Sequence, residues 1–216
     1  MSDDPTAAGA AVTRRRFLGA AAALAAVGAG AAGAACGGGG GGDGATTTTK
    51  ATVPALTGDV AVAHLVAGLE VLAIHTYDGL LDIAAAGTVG TVPALVGAVV
   101  TTARAQHGEH LAVWNRVLRG AGQPEVNVPD AGLLPILDGM LGQVADVEAT
   151  ARLAVLVEEI LADTYLKAIP TLVDTDSVRA AALILATDQQ HQAVLRFALG
   201  ENPLPEPLQV PDKAAS

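Results

Sequence analysis

The chain has 216 residues, of which 51% are hydrophobic and only 2% are aromatic, and its formal net charge at pH 7 is −10. Alanine, leucine and valine supply most of the apolar side chains, and this composition favours closely packed helices over a β-sandwich. After Cys36 there are nine basic and twenty acidic side chains. Such a surface repels phosphate backbones, which excludes nucleic acid as a partner.

The first segment, residues 1–35, has the pattern of an export signal. The stretch TRRRFL at residues 13–18 resembles the twin-arginine (Tat) motif, with Arg14 and Arg15 as the arginine pair. A weakly apolar run of alanine and glycine follows; it is long enough for a transmembrane anchor but gains little transfer energy. The resemblance implies export by the Tat route, which moves proteins that are already folded and often carry a metal or cofactor.

Cys36 is the only cysteine, so the chain forms no internal disulfide. It follows Gly33-Ala34-Ala35 and resembles the lipidation site of a lipoprotein, although Gly33 stands where a leucine-like residue is usual. Residues 36–56 are rich in glycine and threonine and predict a flexible tether. Lipidation at Cys36 would anchor the protein in the membrane, at the outer face of the cytoplasmic membrane within the cell envelope. Simple cleavage after an Ala-x-Ala site is the alternative.

Residues 57–200 contain the helical part of the chain. Apolar residues recur there every three or four positions, and glycine, proline and aspartate mark the helix ends. The patterns predict long helices at residues 57–86, 92–119, 146–169 and 176–199 and a short helix near residues 133–141. No alternating strand pattern competes with them. Residues 201–216 contain four prolines and predict an extended tail.

The two halves of this region resemble each other. GLEVLAIHTYDGLL in the first long helix aligns with LVEEILADTYLKAI in the third, and HGEHLAV in the second aligns with DQQHQAV in the fourth. The alignment pairs Glu70 with Glu158, Tyr77 with Tyr165, and His110 with His191. Two repeated helical hairpins joined by a long link predict an all-α four-helix bundle with a crossover.

Several acidic groups and histidines lie on apolar faces of these helices. Glu70 and Glu158 each have apolar residues one turn before and after them. His107 and His110, and likewise Asp188 and His191, lie one turn apart on one helix face. An unpaired buried carboxylate costs several kcal/mol or stays protonated, so such groups neutralise one another or bind a cation. The candidate metal ligands are Glu70, His107, His110, Glu158, Asp188 and His191.

The order of these residues resembles that of the ferritin-like family. Its di-metal carboxylate proteins use a Glu from each of two helices and a Glu-x-x-His motif from each of the other two. A Glu with a Tyr seven residues later, in both halves, is similar to exported ferritin-like domains. The resemblance implies a metal-dependent oxidoreductase of the ferroxidase type or a metal-handling protein. Tyr77 and Tyr165 would then be donors that orient the ligand carboxylates.

Two departures from the family leave the site open. His107 and Asp188 stand where the family has Glu, and an imidazole lone pair serves one metal, whereas a Glu carboxylate can bridge two. The expected cofactor is Fe, as two ions or one, with Zn, Mn or no metal as alternatives. The alternative function is a metal-free binding or structural bundle of the cell envelope. The substrate is not defined by the sequence, and a homodimer is one option for the assembly.

Overall fold

The computed structural model describes residues 56–215, and most of them are helical. The predicted export signal at residues 1–35, with Arg14 and Arg15, lies outside the described residues. So do Cys36 and the tether up to residue 55. Within residues 56–215 there is no β-strand.

Five α-helices form the described part of the chain, and a 3-10 turn, Ile169–Thr171, follows the fourth. Each predicted helix is present, and its ends differ from the prediction by no more than two residues. The all-α fold is therefore confirmed. The helices are α1 (Gly58–Ala85), α2 (Ala94–Gly120), α3 (Leu134–Leu141), α4 (Val147–Ala168) and α5 (Thr175–Ala198).

The bundle consists of two helical hairpins. α1 packs along α2, and α4 packs along α5, while α1 also contacts α4 and α2 contacts α5. Asp146 and Asp174 cap α4 and α5, since their carboxylates accept hydrogen bonds from Ala149 N at 2.7 Å and Ser177 N at 2.8 Å. By length and composition alone, α1 is apolar enough to cross a membrane, with a mean hydropathy of 1.5, but 56% of that stretch is buried inside the bundle.

Hydrogen bonds near Asp130 and Val126 hold the link between the two hairpins to the bundle. Gly68 O accepts a hydrogen bond from Asp130 N at 3.0 Å, and a side chain at Gly68 would contact the Asp130 backbone. The Asn115 amide pairs with both backbone groups of Val126: Nδ2 donates to O at 3.0 Å, and Oδ1 accepts from N at 2.8 Å. These contacts fix the link between α2 and α3 against the bundle.

The C-terminal segment is extended, as its prolines predict, but it also packs on α4. Asp163 accepts hydrogen bonds from Gln209 Nε2 at 2.8 Å and from Lys213 N at 2.9 Å. Ala215 N donates to Thr164 Oγ1 at 2.9 Å, and Lys213 also pairs with Glu159. Burial raises the pKa of the Asp163 carboxyl, against the opposing effect of these hydrogen bonds. The tail thus closes over the outer face of α4.

We expect Asn115→Ala to lower the free energy of unfolding by about 2–4 kcal/mol, because both backbone groups of buried Val126 lose their partner. Asn127→Ala is the matched control: Asn127 is exposed in the same link, and its replacement should change stability by less than about 0.5 kcal/mol. Urea unfolding measures both variants. Equal effects would mean that the Asn115 amide does not hold the link.

Candidate metal centre

The predicted ligands meet in the middle of the bundle, and each long helix contributes to the group. The side chains of Glu70, His107, Glu158 and Asp188 are fully buried, while His110 and His191 are 8% and 7% exposed. The inward faces of the four long helices therefore carry polar groups that meet at the same level of the bundle, as the internal repeat predicts. The eight residues of this group are Glu70 and Tyr77 on α1, His107 and His110 on α2, Glu158 and Tyr165 on α4, and Asp188 and His191 on α5.

His107 lies at the centre of the group, between the two glutamates. Its Nδ1 is 2.8 Å from Glu70 Oε2, and its Nε2 is 3.1 Å from Glu158 Oε1. Burial alone would lower the pKa of His107, but the charges and hydrogen bonds of Glu158 and Glu70 outweigh burial and raise it well above its usual value. In the metal-free protein His107 is therefore an imidazolium that donates one hydrogen bond to each glutamate.

The glutamates stay ionised for the same reason. Burial raises the pKa of Glu70, but the hydrogen bond from His107 and the nearness of the His107 and His110 imidazoles lower it overall. The pKa of Glu158 is lowered to about 2, because the charge of His107 and its hydrogen bond, with those of His191, exceed the effect of burial.

The two tyrosines connect the hairpins. Tyr77 OH donates to Glu158 Oε1 at 2.5 Å, and Tyr165 OH donates to Glu70 Oε1 at 2.5 Å. Each tyrosine of one hairpin therefore holds the glutamate of the other. Trp114 Nε1 donates in turn to Tyr165 OH at 2.7 Å. Burial, with the nearby carboxylates, raises the pKa of both tyrosines well above the usual value, so they remain donors.

His191 connects Glu158 to the edge of the site. Its Nδ1 is 3.1 Å from Glu158 Oε1, and its Nε2 is 2.5 Å from Gln106 Oε1. Gln192 Nε2 donates to the backbone oxygen of Glu158 at 3.1 Å. His110 differs, because its Nδ1 is 3.6 Å from Glu70 Oε2 and 3.8 Å from Asp188 Oδ1, distances too long for hydrogen bonds.

Asp188 is the least satisfied group of the site. Neither of its carboxylate oxygens has a hydrogen-bond partner within the part of the chain that the structure describes, and the same holds for Glu158 Oε2 and His110 Nδ1. Burial, with the charges of Glu158 and Glu70, raises the pKa of Asp188 well above its usual value. Buried polar atoms nearly always have a partner, so these unpaired atoms are compatible with a cation bound among them.

The ligand atoms form two overlapping groups. His107, Glu158, Asp188 and His191 each offer one atom, and these atoms all lie within 4.8 Å of one another. Glu70, His107 and His110 form a second group that meets the same limit. His107 belongs to both groups, so one of the two residues that depart from the ferritin-like pattern has the central position. This cluster of carboxylate and imidazole groups is compatible with a metal site.

Other titratable residues lie away from the centre. His64 and Glu109 are exposed, and exposed His75 pairs with Asp138 Oδ1 at 2.7 Å. Glu159 is half-buried and pairs with Arg196 instead of entering the site. Gln106 was not among the residues predicted for the site. The one feature of the sequence that could have suggested it is its position one turn before His110, on the same helix face.

In the metal-free protein, the free energy of unfolding should fall as the pH rises from 5.5 to 8.5. Unfolded Asp188 and His107 lose their protons near 3.8 and 6.5, whereas their raised pKa values keep those protons in the folded state. Each proton held only by the folded state lowers stability by about 1.4 kcal/mol per pH unit. Below pH 4.5 Glu158, with a pKa of about 2, has the opposite effect.

Urea unfolding with a chelator present, repeated along the pH range, measures this slope. Asp188→Asn should reduce it, because one of the two protons is then absent from both states. A slope of zero, or one that the variant leaves unchanged, would contradict this assignment of protons.

Comparison with known proteins supports the architecture. No curated protein and no solved structure is significantly similar to the chain. The ferritin-like domain family, however, matches residues 49–201, which is more than half of the chain and includes all four long helices and every residue of the candidate metal centre. The chain therefore belongs to the ferritin-like domain family.

Proposed function

We propose that the bundle binds one iron ion per chain between His107, Glu158, Asp188 and His191 and acts as a metal-dependent oxidoreductase of the ferroxidase type. The observation that carries the proposal is Asp188, a fully buried carboxylate with no hydrogen-bond partner in the described part of the chain. A divalent cation beside it would replace the missing partners. Two imidazoles and two carboxylates form a donor set that suits iron or zinc.

The shared histidine favours one ion over two. A neutral imidazole has one lone pair, so His107 cannot complete both ligand groups at once. If His107 Nε2 faces the metal beside Glu158, its Nδ1 still donates to Glu70 Oε2 at 2.8 Å. A carboxylate that accepts from the second nitrogen is the usual support of a metal-bound histidine. Glu70 then orients His107, and a second ion at Glu70 and His110 would compete for His107.

The surrounding residues prepare the site for redox chemistry. Bound iron would supply one-electron chemistry toward dioxygen or peroxide. Tyr77 orients Glu158 by its hydrogen bond, and Tyr165 does the same for Glu70. Burial of the ligands keeps bulk water away from them. His107 releases its proton when its nitrogen becomes a ligand, so binding gains affinity as the pH rises.

A metal-free bundle of the cell envelope is the second candidate function. It is favoured by the pairing of Glu70 and Glu158, each of which already has a histidine and a tyrosine as partners. Each of these two carboxylates therefore has hydrogen-bond donors without a metal, although Glu158 Oε2 has none in the described part of the chain. These pairings do not account for Asp188, whose carboxylate oxygens lack a partner in the described structure. Asp188 therefore distinguishes the metal-binding function from the metal-free one.

We expect the purified full-length chain to hold about one iron per chain, and metal at 100 times its dissociation constant to raise Tm by about 5–10 °C. Asp188→Asn should abolish the rise, because the variant lacks one of the two carboxylates of the four-residue group. Elemental analysis and thermal unfolding measure both properties. Glu109→Gln is the matched control, since Glu109 is an exposed carboxylate on α2, between His107 and His110, and should change neither.

Each outcome of this experiment separates the candidates. One zinc per chain would retain the site but exclude redox chemistry, and two irons would mean that His107 does not limit the stoichiometry. No bound metal after reconstitution, with equal Tm in the wild type and Asp188→Asn, would support the metal-free bundle.

We also propose that the protein acts outside the cytoplasmic membrane, tethered through a lipid on Cys36. The twin-arginine pattern and the small residues before Cys36 support this location. Replacing Arg14 and Arg15 by lysine should leave the protein in the cytoplasm. Cys36→Ser should move exported protein from the membrane to the soluble fraction. Fractionation with an immunoblot measures both, and membrane retention of the Cys36→Ser variant would exclude the lipid tether.

A further inference from the structure

We infer that a groove between α2 and α5 admits a small, neutral ligand to the metal centre, and that Gln106 is the residue that gates this route and orients His191. The inference rests on the proposed metal centre for its purpose, but access through the groove can be tested without a metal.

The groove has a volume of about 280 Å³ and leads to a residue of the site. That volume lies just below the range of about 300–1,000 Å³ typical of small-molecule sites. Its apolar part consists of Ala98, Val99 and Val194, and Thr102 adds a hydroxyl group. His191 is in its lining, although the side chain is only 7% exposed. Among the six candidate ligands, His191 alone reaches this groove, which makes it the point of access.

Gln106 lines the groove and is hydrogen-bonded to His191. Its Oε1 accepts from His191 Nε2 at 2.5 Å, while His191 Nδ1 is 3.1 Å from Glu158 Oε1. Because an amide oxygen can only accept, Gln106 holds a hydrogen on His191 Nε2, which leaves Nδ1 as the nitrogen that would bind a metal in place of its contact with Glu158. Gln106 therefore favours the tautomer that a metal ligand needs, and a molecule that reaches His191 Nε2 from the groove must first displace this hydrogen bond.

The internal repeat of the two hairpins does not account for Gln106. In the alignment of the two hairpins, the position equivalent to Gln106 is Thr187, whose Oγ1 donates to Leu183 O at 3.1 Å within its own helix. His110, the counterpart of His191, thus has no amide from that position. Of the two equivalent histidines, His191 has a glutamine beside it and lines the groove, whereas His110 does neither.

The lining of the groove indicates the class of ligand. It contains two amides, Gln106 and Gln190, and a histidine, but no carboxylate, lysine or arginine. A cation or a large anion would lose hydration there without gaining a charged partner. A small neutral molecule meets no such barrier, so the groove suits dioxygen or hydrogen peroxide better than it suits the metal ion itself.

The route is tested first on the metal-free full-length chain with diethyl pyrocarbonate, a compact neutral reagent that acylates histidine. Peptide mapping by mass spectrometry gives the rate at His191, with exposed His64 and His75 as internal controls. Thr102→Trp should slow acylation of His191 several-fold by filling the groove. The neighbouring exposed Thr101 does not line it, so Thr101→Trp should have no effect. Gln106→Ala should speed the reaction.

The second test uses the iron(II)-loaded protein and nitric oxide, a neutral diatomic probe followed by absorbance in stopped flow. Thr102→Trp should slow binding several-fold at unchanged iron content, and Thr101→Trp should not. The orienting role has its own measurement: nitrogen-15 NMR of labelled histidines in the zinc-loaded protein should show the Nε2–H tautomer of His191, and Gln106→Ala should lose it.

The outcomes distinguish this inference from the proposed function. Equal rates in Thr102→Trp and Thr101→Trp, for either reagent, would overturn the route. An unchanged tautomer in Gln106→Ala would overturn the orienting role. A chain that takes up no metal would contradict the proposed function, while the rate of His191 acylation would still decide whether the groove is open to a neutral molecule.

Discussion

The position of His107 between Glu70 and Glu158 is the interaction on which the rest of the site depends. Three carboxylates lie in the core of a bundle built largely from alanine, leucine and valine, where an unpaired charge is costly. The central imidazolium neutralises part of that charge and donates to two of the three. Asp188 is left with no such partner in the described structure. The candidate metal site is therefore the place where one buried carboxyl group, that of Asp188, has no partner from the described part of the chain.

The rest of the bundle is arranged around this constraint. The only tryptophan and both tyrosines of the chain lie in the network, where they fill space and donate hydrogen bonds to carboxylates or to one another. Elsewhere the core is aliphatic, and fully buried alanines alternate with larger leucine, valine and isoleucine side chains. The fully buried alanines are Ala63, Ala67, Ala73, Ala103, Ala154, Ala162 and Ala181.

The fold followed from the sequence because its signals are local and repeated. Apolar periodicity and helix-end residues located each helix, and the internal alignment placed Glu70 opposite Glu158 at one depth. Periodicity gives the face of a helix but not the pairing of side chains. It could not show that His107 lies between both glutamates, or that the tyrosines donate across the hairpins. Gln106 and the contacts of the tail with Asp163 depend on approaches between distant segments, for which the sequence carries no motif.

Charge balance explains how such a core can fold before it binds a metal. Among Glu70, His107, Glu158 and Asp188, the metal-free state holds two ionised glutamates, one imidazolium and one protonated aspartate, a formal charge of −1. In the proposed one-iron form, His107 and Asp188 would release their protons to bind the divalent ion, and the formal charge would again be −1. A second divalent ion would make it positive in a core that offers no further carboxylate within the described cluster. Exchange of two protons for one cation keeps the buried charge constant, and that constancy is the physical reason to expect a single ion.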